Sequence, residues 1–285
     1  CETCLADLVR DGSVSIGIID DAVLRILKLK YRLGLFDNPY TDPSRFPVPA
    51  NPDHLAAARK TALQSIVLLK NSSDLLPLNH VKRVAVFGPM ADDPHEQLGT
   101  WTFDRNLNDT VTPLKALREF AGDRIQVDYL PVLDISRSTD TAEFRKAARL
   151  ASEADAVLLF MGEEAIITGE AHCRADISLP GAQEALIHEL SGVSTPIVLT
   201  VMAGRPLTLE PVLDKVDSLL FSFHPGTMGG PALIDIIFGR ESASGKLPVT
   251  FPKAVGQVPL YYSHKRTGRP AVKEHFTHIN DIPVR

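Results

Sequence analysis

Hydrophobic residues are concentrated in five short runs in the second part of the chain, and most of these runs are continuous. They are RVAVFG (83–88), IQVDYL (125–130), DAVLLFMG (155–162), PIVLTVMA (196–203) and DSLLFSF (217–223). Strands that are buried on both faces show such continuous runs, as in parallel sheets. Helical patterns lie between most of them, near 112–121, 141–153, 180–191 and 207–214, and another lies near 228–238. This alternation predicts an α/β sandwich built on a doubly wound, mostly parallel sheet.

The first 37 residues have a different, helical pattern. Apolar residues between Val23 and Tyr31 fall on one side of a helix. Asp20 and Asp21 suit its first turn, and Gly34 suits its C-terminal cap. The exposed apolar side of such a helix must pack on something.

A proline-rich segment separates this helix from the rest of the chain. It contains five prolines between residues 38 and 53, which predicts an extended connector, because proline fixes φ and removes a hydrogen-bond donor. An amphipathic helix is predicted directly afterwards, at about 54–70. The predicted organisation is a helical stretch (1–37), a linker (38–53), an α/β domain (54–262) and an extended tail or loop (263–285).

Composition and charge exclude several classes of function. The 285 residues have a formal net charge of −5, which argues against a phosphate-binding surface and therefore against a nucleic-acid partner. No apolar run reaches the roughly 18 residues of a membrane span. The start, CETCLADLVRDG, lacks the features of a signal peptide and an initiator Met, so we expect a piece of a longer protein or a processed chain.

Candidate chemistry lies in the loops that follow the strands, because ligands of open parallel sheets bind outside the carboxyl ends of the strands. These loops read GPMADDPHEQLGTW, GEEAIITGEAHCRAD, AGRP and HPGTMGG. The first does not match GxGxxG, and Gly245-Lys246 is followed by Leu247 rather than Ser or Thr, so neither nucleotide motif is present. There is also no HExxH and no spaced Cys/His set. We therefore expect no cofactor and no metal.

The loop after the third run carries most of the charged residues. These are Glu163, Glu164, Glu170, His172, Arg174 and Asp176. Clustered carboxylates can serve in general acid/base catalysis, since burial and like-charge neighbours raise a carboxyl pKa. A solvated acidic loop is the alternative that the pattern alone leaves open.

Several longer stretches carry a family resemblance. They are RILKLKYRLGLFDNPY (25–40), ALQSIVLLKNSSDLLPL (62–78), GEAHCRADISLPGAQ (169–183), VMAGRPLTL (201–209) and the segment from HPGTMGG to TGRP (224–270). In this order they resemble glycoside hydrolase family 3, in particular its periplasmic-type bacterial β-glucosidase branch. The resemblance covers about residues 15–270.

The resemblance implies an architecture and a reaction. Family members join a (β/α)8-like barrel to a following α/β sandwich, with the active site between them, so residues 1–37 are expected to be the C-terminal helical end of the barrel. The implied activity is that of a retaining exo-β-glycosidase, which removes terminal β-linked sugars from oligosaccharides or glucosides. The nucleophilic Asp is expected in an upstream barrel, because no matching segment occurs here. A periplasmic or secreted location is implied by the resemblance alone.

Roles can be carried over to matching positions. Glu170, in TGEAHCR, matches the family acid/base, and Glu163 and Glu164 are its competitors. Trp101, in LGTW, is expected to line an outer sugar subsite, with core packing as the alternative. Arg174 is the second candidate for substrate binding, where it would orient a carboxylate, and anchoring of its loop is the alternative role. The presence of Glu170 favours a glucosidase or xylosidase over an N-acetylglucosaminidase. The alternative function is a non-catalytic carbohydrate-binding or scaffold domain derived from such an enzyme.

Overall fold

The structure, a computed structural model, describes residues 4–261 and 263. The chain divides into two compact units, Cys1–Pro49 and Ala50–Arg285. In the first unit, helix α1 spans Leu5–Arg10 and helix α2 spans Ile16–Arg32.

Helix α2 ends as its sequence predicts. Gly34 has φ +68°, a conformation that favours glycine. Its backbone N–H donates to the Tyr31 carbonyl (2.9 Å), and the Leu35 N–H donates to the Lys30 carbonyl (3.0 Å). These two bonds form a Schellman motif, so the predicted cap at Gly34 is confirmed.

The predicted start of α2 is wrong by one turn. The helix begins at Ile16 because the Ser15 side chain caps it by accepting a hydrogen bond from the Gly17 N–H. Asp20 and Asp21 therefore lie beyond the first turn. Asp21 instead pairs with Arg25, one turn further along the helix surface.

The second unit consists of six strands and six helices among the described residues. The helices are α3 (Pro52–Ser65), α4 (Pro94–Leu98), α5 (Pro113–Ala121), α6 (Phe144–Ser152), α7 (Gln183–Leu190) and α8 (Gly229–Ile237). The strands are β1 (Val67–Asn71), β2 (Arg83–Phe87), β3 (Gln126–Tyr129), β4 (Ala156–Gly162), β5 (Ile197–Met202) and β6 (Ser218–Phe221).

The strands form one sheet in the order β1-β6-β5-β4-β2-β3. All neighbouring pairs are parallel except β1 and β6. Helices α6 and α7 pack together, and α8 packs against α3 and α5. This is the predicted doubly wound, mostly parallel α/β sandwich.

Strand β4 shows why the apolar runs are continuous. Val157, Leu159 and Met161 belong to the hydrophobic cluster that includes residues of α6 and α7. Leu158 and Phe160 belong to the cluster that includes residues of α3, α5 and α8. All seven residues of β4 are buried, so alternate side chains enter opposite cores. Each large side chain buried in this way contributes about 1.5–3 kcal/mol.

Two predicted helices differ from the structure. The helix predicted at 54–70 ends at Ser65, and β1 follows as an antiparallel edge strand paired with β6. The short apolar run of β1 continues the helical pattern of α3. Only its pairing with β6, about 150 residues away, makes this segment a strand instead of a further helical turn. At 207–214 the structure has a short 3₁₀ helix, Glu210–Lys215, with a proline near its start.

The connector and tail are described in part. The short 3₁₀ helix Pro43–Arg45 lies in the connector, and α3 begins inside the predicted linker, where the Asn51 side chain caps it. Just before the tail, at the end of the predicted α/β domain, the described residues include one 3₁₀ helix, Val255–Gln257. The prediction of an extended 263–285 falls outside the described residues apart from Ser263. Among the helices of the described chain, none has the length and apolarity needed to cross a bilayer.

Candidate active site

The loops after β2, β4, β5 and β6 leave the same edge of the sheet, because these strands are parallel. The β4 loop, residues 163–181, contacts residues of the β2 loop and of the β5 loop. It begins with Glu163 and Glu164 and has Glu170 at its tip. The structure gives these three carboxylates different environments.

Glu163 is fully buried and held by two arginines. Arg174 Nη1 lies 2.5 Å from its Oε1, and Arg205 Nε lies 3.2 Å from its Oε2. The side chain of Glu163 is 0% exposed. Its charge is compensated on both oxygens, which is the condition under which a buried carboxylate is tolerated. Glu163 is thus engaged in holding the root of the loop.

Glu164 is also buried and fully engaged. Its Oε2 accepts hydrogen bonds from Ser136 Oγ (2.7 Å) and from the Nε of Arg137 (3.0 Å). Burial acts to raise the pKa of Glu164, but the hydrogen bonds from Arg137 and Ser136 outweigh it, so the pKa lies below its ordinary value. Sequence reasoning missed Ser136 and Arg137, because nothing in the local pattern links them to a loop about 27 residues away.

Glu170 is exposed and makes no hydrogen bond or ion pair within the part of the chain that the structure describes. The preceding Gly169 has φ +100°, and a Cβ there would collide with the Thr100 side chain. The backbone on either side is fixed, since Arg205 Nη2 donates to the carbonyls of Ile167 and His172, each at 2.9 Å. The tip therefore has an anchored backbone and an unengaged carboxylate.

Trp101 lies in the loop after β2, next to the residue that Gly169 contacts. Its side chain is 61% exposed, and it forms an edge-to-face pair with Phe103 (6.4 Å between ring centroids). The contact between Thr100 and Gly169 brings the Trp101 segment beside the Glu170 segment. An accessible indole at this point is suited to the apolar face of a sugar ring.

Arg174 has contacts typical of a loop anchor. Besides Glu163, it reaches the Ser178 carbonyl at 3.0 Å, and its side chain is 16% exposed. These contacts are compatible with both roles predicted for Arg174, since it pairs with the Glu163 carboxylate and also binds the loop backbone. Among the described residues, the Arg174 guanidinium forms an ion pair with Glu163 and not with Glu170.

His224 packs where the loops meet. A Cβ at Gly99 would lie 2.6 Å from its Cγ, and a Cβ at Gly204 would lie 3.0 Å from its Nε2. Both ring nitrogens are buried and lack a hydrogen bond of normal geometry in the described structure. Burial lowers the pKa of His224, and a weaker interaction with the Glu96 backbone opposes this shift.

Asp93, His95 and Glu96, in the loop after β2, have ligand atoms close enough to share a metal ion. Their atoms are already engaged. Asp93 accepts from the N–H groups of His95 and Glu96, and Glu96 accepts from the Ala165 N–H. The guanidinium of Arg105 lies against His95, which places a positive charge where a cation would bind. This group is better described as a network that joins the β2 and β4 loops.

A polar cleft of about 500 Å³ lies beside the β4 loop. Its lining includes Arg137, His172, Arg174 and Asp176. The volume is within the range of small-molecule sites, about 300–1,000 Å³. The tip of the loop thus borders a space large enough for a sugar unit.

Taken together, the fold and these loops define an α/β sandwich that presents one unengaged glutamate on an anchored loop at the carboxyl edge of its sheet. The model of the glycosyl hydrolase family 3 C-terminal domain matches residues 66–278. The chain therefore belongs to glycosyl hydrolase family 3.

Relatives in the family include enzymes with different substrates. The chain is 35% identical to a periplasmic β-glucosidase of Salmonella typhimurium, over 93% of this chain and 38% of that enzyme. It is 32% identical to a β-xylosidase of Formosa agariphila, over 90% of this chain and 36% of that enzyme. The crystal structure of the β-glucosidase from Listeria innocua in complex with glucose superposes with a TM-score of 0.89 at 34% identity, over 98% of this chain and 39% of that one. The chain thus spans roughly two fifths of the length of these relatives.

Proposed function

We propose that this chain is the acid/base-bearing part of a retaining exo-β-glycosidase of the β-glucosidase type. The observation that carries the proposal is the state of Glu170. Of the four carboxylates between residues 163 and 176, it is the only one without a hydrogen bond or ion pair to the described residues. A carboxyl group that exchanges a proton with a substrate must come within hydrogen-bond reach of it, which an exposed and unengaged carboxyl group can do.

The proposed mechanism needs a second carboxylate from outside this chain. In a retaining glycosidase, the two carboxyl groups lie about 5–5.5 Å apart across the scissile bond. Glu170 protonates the glycosidic oxygen while an Asp nucleophile attacks the anomeric carbon. Glu170 then removes a proton from water, which hydrolyses the glycosyl-enzyme.

We propose that the nucleophile comes from an upstream barrel domain, of which residues 1–37 are the last helical stretch. Helix α2 supports this, because its apolar side chains are not buried within its own unit, Cys1–Pro49; Ile26, for example, is 59% exposed. An apolar helix face of this kind needs a covering partner. The names of the relatives favour glucosides or xylosides as substrates.

Trp101 is proposed to form part of a sugar subsite next to Glu170. Its exposure and its position beside the Glu170 segment support this role. The contacts of Arg174 support loop anchoring rather than substrate binding. We therefore propose Glu170 as the acid/base and Trp101 as the substrate contact.

The test is hydrolysis by the full-length protein that contains this chain. Wild type, Glu170→Gln and the control Glu189→Gln, an exposed helix position, are compared on aryl β-glucosides, aryl β-xylosides and an unactivated disaccharide. We expect Glu170→Gln to lose about 10²–10⁴-fold in kcat on the poor leaving group, with less effect on activated aryl substrates and partial rescue by azide. The control should keep wild-type kinetics.

Two outcomes would contradict the proposal. Unchanged kinetics of Glu170→Gln would remove the acid/base assignment. Sugar binding without hydrolysis by the wild-type, full-length protein would favour the carbohydrate-binding alternative. The ratio of glucoside to xyloside activity decides the sugar.

A further inference from the structure

Arg205 lies in the loop after β5, but most of its contacts are in the β4 loop. Its Nη2 donates to the carbonyls of Ile167 and His172, both at 2.9 Å, and its Nε lies 3.2 Å from Glu163 Oε2. The side chain is 21% exposed. A single guanidinium therefore joins three points of one loop.

Two of those points flank Glu170. Ile167 lies three residues before it and His172 two residues after it, so one nitrogen closes the backbone segment that carries the carboxylate. The His172 N–H adds a bond to the Gly169 carbonyl (3.3 Å) inside the same segment. Because Glu170 itself has no partner in the described structure, its position depends on this backbone closure.

Positional control of this kind has a known kinetic value. Fixing the backbone of a residue costs conformational entropy. A misplacement of about 1 Å at a reacting group can cost about 10²-fold in rate. If the segment that carries the carboxylate is already ordered before substrate binds, its ordering entropy does not add to the barrier of proton transfer.

Arg174 provides an internal comparison. It also pairs with Glu163 and is similarly buried, at 16% exposed. Its remaining hydrogen bond goes to the Ser178 carbonyl, beyond the segment that carries Glu170. Arg205 and Arg174 thus share the ion pair and differ in the closure of the tip.

We propose that Arg205 is a positioning residue that holds Glu170 in place for proton transfer by closing the segment from Ile167 to His172. The proposal rests on the role of Glu170 proposed above. It assigns the fixed spacing of two guanidinium nitrogens, Nε on Glu163 and Nη2 on the two carbonyls, rather than the positive charge alone, as the necessary feature.

The experiment compares Arg205→Lys with Arg174→Lys in the full-length protein. Both variants keep a positive charge near Glu163, but lysine has a single nitrogen and cannot contact Glu163 through one nitrogen while a second nitrogen reaches the two carbonyls. We expect Arg205→Lys to lose about 10²-fold in kcat on the poor leaving group and less than about 10-fold on an activated aryl glycoside. Arg174→Lys should lose less than about 5-fold on both, and KM should change little in either variant. The ratio between the two substrates is measured within each sample, so it does not depend on the fraction of folded protein.

Two further measurements separate this proposal from the previous one. Hydrogen exchange of the amides of residues 168–172 should be faster in Arg205→Lys than in Arg174→Lys. Adding Arg205→Lys to Glu170→Gln should cause no further loss on the poor leaving group if Arg205 acts through Glu170.

Equal losses on good and poor leaving groups, or equal losses in the two arginine variants, would show a merely structural role and overturn the positioning proposal. Unchanged exchange at 168–172 in Arg205→Lys would overturn it as well. If Glu170→Gln alone has no effect, the proposed function fails, and the exchange data still decide whether Arg205 closes the segment.

Discussion

The root and the tip of the β4 loop use the same amino acid in opposite ways. At the root, Glu163 is 0% and Glu164 is 6% exposed, and each is paired with arginine. At the tip, Glu170 is exposed and has no partner among the described residues. The comparison teaches that the carboxylates with compensated charge shape the root of the loop, whereas the carboxylate at the tip has no compensating partner among the described residues and is held only through its backbone.

The comparison predicts that Glu163 dominates stability. Glu163→Gln leaves two arginines, 16% and 21% exposed, without their shared carboxylate. We expect a loss of about 3–5 kcal/mol in the free energy of unfolding, as for a broken buried ion pair. Urea unfolding measures it, with Glu189→Gln as a control that should stay within about 0.5 kcal/mol of wild type. A loss below about 1 kcal/mol would contradict the structural role of Glu163.

Glu164 should have a smaller, pH-dependent effect. Its partner Arg137 is 50% exposed and can be hydrated when the carboxylate is removed. Glu164→Gln should therefore cost about 1–3 kcal/mol at neutral pH. Because the folded-state pKa of Glu164 lies below its ordinary value, this contribution is present above the unfolded-state pKa and is lost as the pH falls through the folded-state value. Urea midpoints measured from pH 7 to pH 3 should converge for wild type and variant. Parallel curves would rule out this ion pair as the source.

His224 should affect stability chiefly through its pH dependence. Burial lowers its folded-state pKa, so the unfolded state binds a proton more readily, and stability is lost as the pH falls below the ordinary histidine value of about 6.5. The contacts at Gly99 and Gly204 provide no compensating charge. His224→Phe keeps a ring and should lose less stability between pH 8 and pH 5 than wild type. Thermal unfolding tests this, and the exposed His188, replaced by Phe, is the control. An unchanged pH profile would show that His224 is not a source of acid sensitivity.

Glu170 should have the smallest effect on stability. Glu170→Gln removes an exposed charge without breaking a described contact, so the free energy of unfolding should stay within about 0.5 kcal/mol of wild type. The same change is expected to cause the large loss of activity described above. A destabilisation of more than about 1 kcal/mol would show that Glu170 has a structural role like that of Glu163 and Glu164, and would contradict the difference between root and tip.

The local sequence pattern predicted an element correctly where the element depends on neighbouring residues or on the general rule that buried strands are apolar. The five runs became β2 to β6, and the central strands β4 and β5 show the reason most clearly, because residues buried on both faces must be largely apolar. The edge strand β3 is only partly buried and includes Gln126 and Asp128. The Schellman cap at Gly34 was predictable because only neighbouring residues form it. Strand β1 was not predictable from the local pattern, because its apolar run also fits the end of a helix and its partner β6 is remote in sequence.

For the candidate site, the sequence by itself determined the family, the loop and the three competing glutamates. Only the tertiary structure decided which of them is unengaged. Ser136 and Arg137 bind Glu164 from before β4, and Arg205 reaches Glu163 from the loop after β5. The physical reason is that a glutamate's role depends on which charges and hydrogen-bond donors surround it, and the fold brings those groups together from distant parts of the chain.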